Sequence, residues 1–64
     1  PLQEFINFIN RSYHVNIIIK EEKLKKLKFN GTIHKDEPLT NIIEKICISL
    51  DLKEKQENND IILY

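Results

Sequence analysis

The stretch that decides the fold occurs twice: residues 1–16 read PLQEFINFINRSYHVN and residues 38–53 read PLTNIIEKICISLDLK. The second copy begins 37 positions after the first. In both copies the apolar residues recur at the i, i+3, i+4, i+7 spacing that gathers side chains on one face of a helix. They are Leu2, Phe5, Ile6, Ile9 and Tyr13 in the first copy and Leu39, Ile42, Ile43, Ile46 and Leu50 in the second. The repeat therefore predicts two amphipathic helices.

The sequence between the two copies predicts two strands and a charged connection. Residues 15–19, VNIII, are short and β-branched, which favours a strand. Residues 20–26, KEEKLKK, predict a connector with a single helical turn that places Leu24 inward. Residues 27–33, LKFNGTI, alternate apolar and polar side chains as a half-buried strand does. Gly31 within this run indicates a bulge or a close backbone approach.

The second helix has a clear start, and a hairpin is predicted after it. Asp36 and Glu37 precede Pro38, which places acidic side chains and a proline at the helix N-terminus. Residues 52–57 and the closing IILY predict two strands joined by an Asn58-Asn59-Asp60 turn. The predicted order is α-β-β-α-β-β. Neither helix could bury its apolar face alone, so we expect an α+β two-layer sandwich with both helices on one face of a small mixed β-sheet.

Length and charge limit the possible functions. Sixty-four residues make a single domain, 1–64, which buries only about 60% of its unfolded surface and has little room for a deep catalytic cavity. Residues 1–35 carry seven cations against three carboxylates, a net +4, and residues 36–64 carry three against seven, a net −4. The whole chain is neutral and has a single glycine, so it offers neither a basic patch nor a GXXG loop for nucleic acid. We expect the two oppositely charged halves to attract each other across the fold or to lie in water, since exposed charges are weak determinants; the alternative is a dipolar surface that orients a partner.

The sequence offers no catalytic, cofactor-binding or metal-binding residues, and we expect the protein not to be an enzyme. His14, His34 and Cys47 are the only histidines and the only thiol, and their spacing matches no metal motif. Cys47 lies mid-helix beside apolar residues, where a high pKa would disfavour the nucleophilic thiolate. We therefore expect no metal and no cofactor.

Two apolar residues fall outside the apolar arcs and mark a predicted partner-binding surface. Phe8 lies about 60° outside the nearer edge of the arc on the first helix, at 100° per residue. Ile48 points almost opposite to the core side of the second helix. In the repeat, Phe8 aligns with Lys45 and Ile48 aligns with Arg11, so the copies differ where these residues stand. We take Phe8, Arg11 and Ile48 as candidate partner-binding residues, with any open sheet edge as a second contact.

Four segments together resemble a known family. They are RSYHVNIII after the first helix, LKFNGTI at 27–33, PLTNIIEKI in the second helix and the terminal NNDIILY. This pattern resembles the C-terminal periplasmic domain of FecR-type anti-sigma regulators in its Bacteroidetes form. That domain is similar to the secretin and TonB N-terminal signalling domain. The family pattern has a strand before the first helix and often an aromatic where this chain has Glu54.

The resemblance implies a non-enzymatic signalling domain in the periplasm, part of an inner-membrane protein. Its partner would be the N-terminal signalling domain of a TonB-dependent outer-membrane transporter, and binding would control release of a sigma factor. We expect the chain to be a fragment of a longer regulator with its membrane anchor upstream, no membrane contact of its own and weak self-association. One alternative is the signalling domain of the transporter or of a secretin itself. A further alternative is a small nucleic-acid-binding α/β domain.

Overall fold

Three helices and a three-stranded mixed sheet make up the fold, in a computed structural model that describes residues 1–64. In chain order the elements are α1 Leu2–Tyr13, β1 Ile17–Ile19, α2 Glu22–Lys25, α3 Leu39–Leu50, β2 Glu54–Glu57 and β3 Asp60–Leu63. The predicted α+β class is confirmed. The two amphipathic helices, the first strand, the helical turn in the charged connector and the C-terminal hairpin are confirmed as well.

The sequence repeat is also a repeat of local structure. The helices α1 and α3 both have 12 residues, and each begins at the leucine after a proline. Each ends at a left-handed residue, His14 with φ 55° and Asp51 with φ 56°. The next amides, those of Val15 and Leu52, donate to the carbonyl five residues earlier at 3.3 and 2.9 Å, the six-to-one bond of a Schellman motif. The two copies therefore share the way in which the chain leaves the helix.

The last strand joins the two copies into one sheet. The strand order is β1-β3-β2, with β1 parallel and β2 antiparallel to β3. The outer strands β1 and β2 begin at equivalent positions of the repeat, residues 17 and 54. The turn between β2 and β3 contains Asn58 at φ 56°, a conformation that asparagine tolerates better than most residues.

The core is a single apolar cluster between the helices and one face of the sheet. Its nine buried members are Leu2, Ile6, Ile9, Ile17, Ile19, Ile42, Ile43, Ile46 and Leu63. Phe5, Tyr13, Leu39 and Leu50 from the predicted helix faces pack against the cluster while staying partly exposed. Every buried residue in the chain is hydrophobic, so the core contains no polar group that needs a partner.

The predicted strand at 27–33 is wrong. The apolar side chains Leu27, Phe29 and Ile33 are half-buried against the core, and the residues between them are exposed, as the alternation indicates. However, these residues pair with no strand, and the first half of the chain contributes only β1 to the sheet. The observed order is therefore α-β-α-α-β-β, because α2 is a separate element and 27–33 is irregular.

The irregular residues run beside α1 instead of joining the sheet, and we call residues 27–37 the crossing segment. It starts where the Leu2 amide donates to the Leu27 carbonyl at 2.7 Å, and it ends where the Tyr13 hydroxyl donates to the Glu37 carbonyl at 2.6 Å. Gly31 shows neither a bulge nor a close backbone approach, but it leaves room for a side chain, because a Cβ there would lie 2.5 Å from the Phe29 ring. The segment is held by side-chain packing and by single hydrogen bonds at its two ends, and not by a β-ladder.

Candidate protein-interaction surface

All three residues that the sequence predicts for partner binding are exposed. Phe8 on α1 keeps 48% of its surface exposed and Ile48 on α3 keeps 74%. Arg11, one turn after Phe8 on the same helix, is exposed and forms no ion pair. Their role in binding stays a prediction.

Phe8 lies at the wall of an open groove between α1 and the crossing segment. The groove has a volume of about 530 Å³, and its other lining residues are Ser12, Tyr13, Ile33, His34, Lys35 and Asp36. An aromatic ring, an isoleucine and a tyrosine thus lie beside a charged rim. Such a surface can accept an apolar side chain of a protein partner and fix its orientation by polar contacts.

Ile48 lies in a smaller depression on α3. Asn41, Glu44 and Lys45 are the other residues around it, and its volume is about 240 Å³. Lys45 also contacts the crossing segment, which lines the Phe8 groove. Phe8 and Ile48 therefore lie on the two long helices, each at its own depression.

Lys45 holds the crossing segment to α3, a role that the sequence did not indicate. Its Nζ lies 2.6 Å from a Glu37 carboxylate oxygen and donates to the Thr32 carbonyl at 3.3 Å. Lys45 stands at the position of the repeat that Phe8 occupies in the first copy. The two helices therefore use equivalent positions toward the crossing segment, one for an ion pair and the other for an exposed ring.

Glu37 is the most connected residue of the crossing segment. Its side chain is only 7% exposed, and its Oε1 accepts a hydrogen bond from the His34 amide at 3.1 Å. The bond from Lys45, followed by that amide bond, stabilises the carboxylate and lowers the pKa of Glu37 below its ordinary value. The ionised form of Glu37 therefore stabilises the wall of the Phe8 groove.

We expect the Glu37–Lys45 pair to make stability depend on pH on the acid side. Because the pKa of Glu37 is lower in the folded state, its stabilisation is complete above the unfolded value of about 4.3 and is lost as pH falls through the folded value. Urea denaturation followed by circular dichroism between pH 7 and 3 measures this loss. Glu37→Gln should flatten part of the decline.

A double-mutant cycle separates this pair from Glu57, whose pKa is also lowered, mainly by Lys55. Lys45→Met and Glu37→Gln should remove the same part of the acid-side decline, and the double variant should remove no more. The contribution of Glu57 should persist in all three variants. Fully additive effects would mean that Lys45 does not stabilise the Glu37 carboxylate.

The histidines and the thiol are not assembled into a site. No group of three or more His, Cys, Asp or Glu side chains is arranged to hold a metal ion. Cys47 is half-buried and packs against the core, as predicted for a small apolar residue of α3. Burial, followed by the nearby Glu54 charge, raises the pKa of the Cys47 thiol above its ordinary value.

The outer face of the sheet carries a third exposed hydrophobic residue that the sequence did not indicate. Tyr64 is 47% exposed, and the Lys55 ammonium lies 5.5 Å from the centre of its ring. Ile62, which pairs with Lys55 and Ile18, is only 2% exposed although it does not belong to the core cluster. Long side chains on this face cover apolar surface with their stems and keep their charges in water.

The two edges of the sheet differ. At the β1 edge the side-chain amide of Asn10 both accepts from the Ile17 amide at 2.9 Å and donates to the Ile17 carbonyl at 3.2 Å. This side chain occupies the backbone groups that an added strand would use at Ile17. At the other edge β2 pairs only with β3, and all four of its residues are exposed.

Comparison with known proteins gives one match. A family model described as "FecR, C-terminal" matches residues 1–63. No curated protein and no solved structure matches the chain. None of the helices has the length and hydrophobicity that crossing a membrane requires.

Proposed function

Because the chain belongs to the FecR C-terminal family, a family of regulatory domains of the anti-sigma-factor type, we propose that it is the receiving domain of a transmembrane signal. In this proposal it binds the N-terminal signalling domain of a TonB-dependent outer-membrane transporter. Binding changes how tightly the regulator binds its sigma factor. The domain works in the periplasm, is anchored by a membrane helix elsewhere in the protein, and has no enzymatic activity.

The observation that carries this proposal is the exposed apolar surface on the helix layer. Phe8 and Ile48 are two of the three large hydrophobic residues that the fold leaves exposed, and each lies in its own depression. Exposed single hydrophobic residues are common on proteins, but an aromatic ring at a concave site is the usual anchor of a protein interface. We call this surface, made of Phe8, Arg11 and Ile48, the helix-layer surface.

A receiving domain needs no chemistry beyond recognition. Arg11 projects from α1 without an intramolecular ion pair, so its guanidinium remains able to bind a carboxylate of the partner. Phe8 supplies apolar contact area, and the charged rim of its groove supplies orientation. The family match favours the regulator over the alternative that the chain is the signalling domain of the transporter or of a secretin.

We expect Phe8→Ala and Ile48→Ala each to weaken binding to the transporter signalling domain by about tenfold or more, the loss typical of an interface anchor. Isothermal titration calorimetry of the purified domain against the N-terminal signalling domain of a candidate TonB-dependent transporter measures the change. Each variant also needs a thermal melt, which should stay within a few degrees of the parent because neither side chain is in the core.

Tyr64→Ala is the matched control for Phe8→Ala. The two aromatic residues are almost equally exposed, at 47% and 48%, but Tyr64 lies on the outer face of the sheet. Its removal should leave the affinity unchanged. If Tyr64→Ala weakens the complex and Phe8→Ala does not, the partner uses the sheet face and the helix-layer surface is wrong. If no complex forms with the parent domain, the transporter partner is wrong.

A further inference from the structure

Residues 28–33 of the crossing segment bury their apolar side chains as a strand does, but their backbone forms no β-ladder. Phe29 and Ile33 are half-buried, and Lys28, Asn30 and Thr32 are exposed, as in an edge strand; Gly31, which has no side chain to bury, is exposed as well. Yet no amide in 28–33 donates to another part of the chain, and among its carbonyls only that of Thr32 accepts a bond, from Lys45. We call residues 28–33 the unpaired stretch.

Both ends of the unpaired stretch are held in place by contacts with the helices. Just before it, the Leu27 carbonyl is bonded to the Leu2 amide at 2.7 Å, and near its start the Phe29 ring packs on the Phe5 ring at 4.9 Å between centroids. After it, the Glu37–Lys45 pair holds the chain to α3. A backbone that is held at both ends and has free donors and acceptors between them can receive an extended chain at little entropic cost.

The charges around the unpaired stretch indicate which side chains an incoming extended segment would carry. Five cations of the protein form no ion pair, and three of them, Lys26, Lys28 and Lys35, lie within or beside this stretch. All three are exposed, and no ion pair within the chain neutralises them. Carboxylates on an incoming strand would complement these lysines, whereas a basic strand would be repelled.

We infer that the unpaired stretch is a strand-addition site for an acidic, extended segment of a protein partner. Main-chain hydrogen bonds to residues 28–33 supply the affinity, and Lys26, Lys28 and Lys35 select acidic side chains. The inference rests on the proposed function in placing the partner among signalling domains. It adds a second contact beside the Phe8 groove, which is lined in part by the residues that follow the stretch.

Two experiments test this site. Hydrogen exchange of the domain alone and in complex with the transporter signalling domain should show new protection at the amides of 28–33. A decapeptide of alternating Glu and Val serves as an independent probe, with alternating Lys and Val as its control. In nitrogen-15 correlation spectra the acidic peptide should shift the amide signals of 28–33, and the basic peptide should not.

Charge reversal gives a matched pair of variants. Lys28→Glu should weaken binding of the acidic peptide about threefold to tenfold and should weaken binding of the signalling domain in the same direction. Lys53→Glu is the control, because Lys53 is also exposed and unpaired but lies before β2, away from the crossing segment. Equal losses in both variants would mean general charge attraction and would overturn the site.

The remaining outcomes separate this inference from the proposed function. A complex that forms without protection at 28–33, together with a peptide that causes no shifts there, overturns the strand-addition site and leaves the proposed function standing. If the acidic peptide shifts the amide signals of 28–33 but no complex forms with the transporter signalling domain, the strand-addition site is sustained and the transporter partner is overturned. Protection that depends on protein concentration in the domain alone means that a second copy occupies the stretch. Binding of a single-stranded oligonucleotide there at the same salt concentration means a nucleic-acid site. Either result would overturn the inference that an acidic protein segment binds there.

Discussion

Ile46→Ala is expected to cost about 2–5 kcal/mol of folding free energy, the usual range for truncating a fully buried isoleucine. Ile46 is 0% exposed and lies in the middle of the apolar cluster that α1, α3 and the sheet share. A 64-residue domain has only about 3–5 kcal/mol of total stability. Much of the Ile46→Ala protein should therefore be unfolded at 25 °C, with a reduced helical signal in circular dichroism.

Ile48→Ala tests the same substitution two residues further along α3. Because Ile48 is 74% exposed, its loss should change stability by less than about 0.5 kcal/mol, and the better helix propensity of alanine acts in the opposite direction. Ile46→Val, expected to cost about 0.5–1.5 kcal/mol, keeps the comparison measurable by urea denaturation if Ile46→Ala does not fold. Equal costs at 46 and 48 would contradict the assignment of Ile48 to the surface.

Asn10→Ala should be the second most damaging change, at about 1–3 kcal/mol, because it leaves two backbone groups of β1 without partners. The Asn10 amide side chain bonds both the amide and the carbonyl of Ile17, at 2.9 and 3.2 Å. Ile17 is 3% exposed, so water replaces these bonds poorly. Urea denaturation measures the loss, and hydrogen exchange should show faster exchange at the Ile17 amide in particular.

Asn7→Ala is the control on the same helix. The Asn7 side chain is exposed and accepts a bond only from the Gln3 side chain, at 2.8 Å. Its removal should change stability by less than about 0.5 kcal/mol. If Asn7→Ala costs as much as Asn10→Ala, the effect belongs to α1 as a helix and not to the edge of the sheet. The variant Asn10→Asp, which keeps the acceptor for the Ile17 amide but loses the donor, should lie between the parent and Asn10→Ala.

The helices could be predicted because the apolar spacing that indicates them is local and occurs in both copies of the repeat. Five apolar positions in each copy fix the buried face, and the observed helices span those positions from Leu2 to Tyr13 and from Leu39 to Leu50. Exposure of Phe8 and Ile48 follows from the same helical wheel. Periodicity therefore established which side chains of the helices are inside and which are outside.

The strand predicted at 27–33 failed because alternation reports side-chain burial and not backbone pairing. The half-buried positions at Leu27, Phe29 and Ile33 are as expected, since all three pack against the apolar cluster, yet their backbone joins no strand. Strand pairing requires another extended backbone alongside the residues, and here the segment starts beside the helix α1. The Glu37–Lys45 pair could not be predicted for a related reason, since many charges in a sequence with 31% charged residues are equally plausible partners.

The central place of β3 in the sheet has a consequence for the order in which this chain can fold. The outer strands β1 and β2 do not touch each other, and both pair only with the four residues Asp60–Leu63 at the C-terminal end. A nascent chain that still lacks these residues can form helical turns but has no sheet. The sheet therefore cannot form before Asp60–Leu63 are available, and loss of β3 would remove the whole sheet and not only one edge.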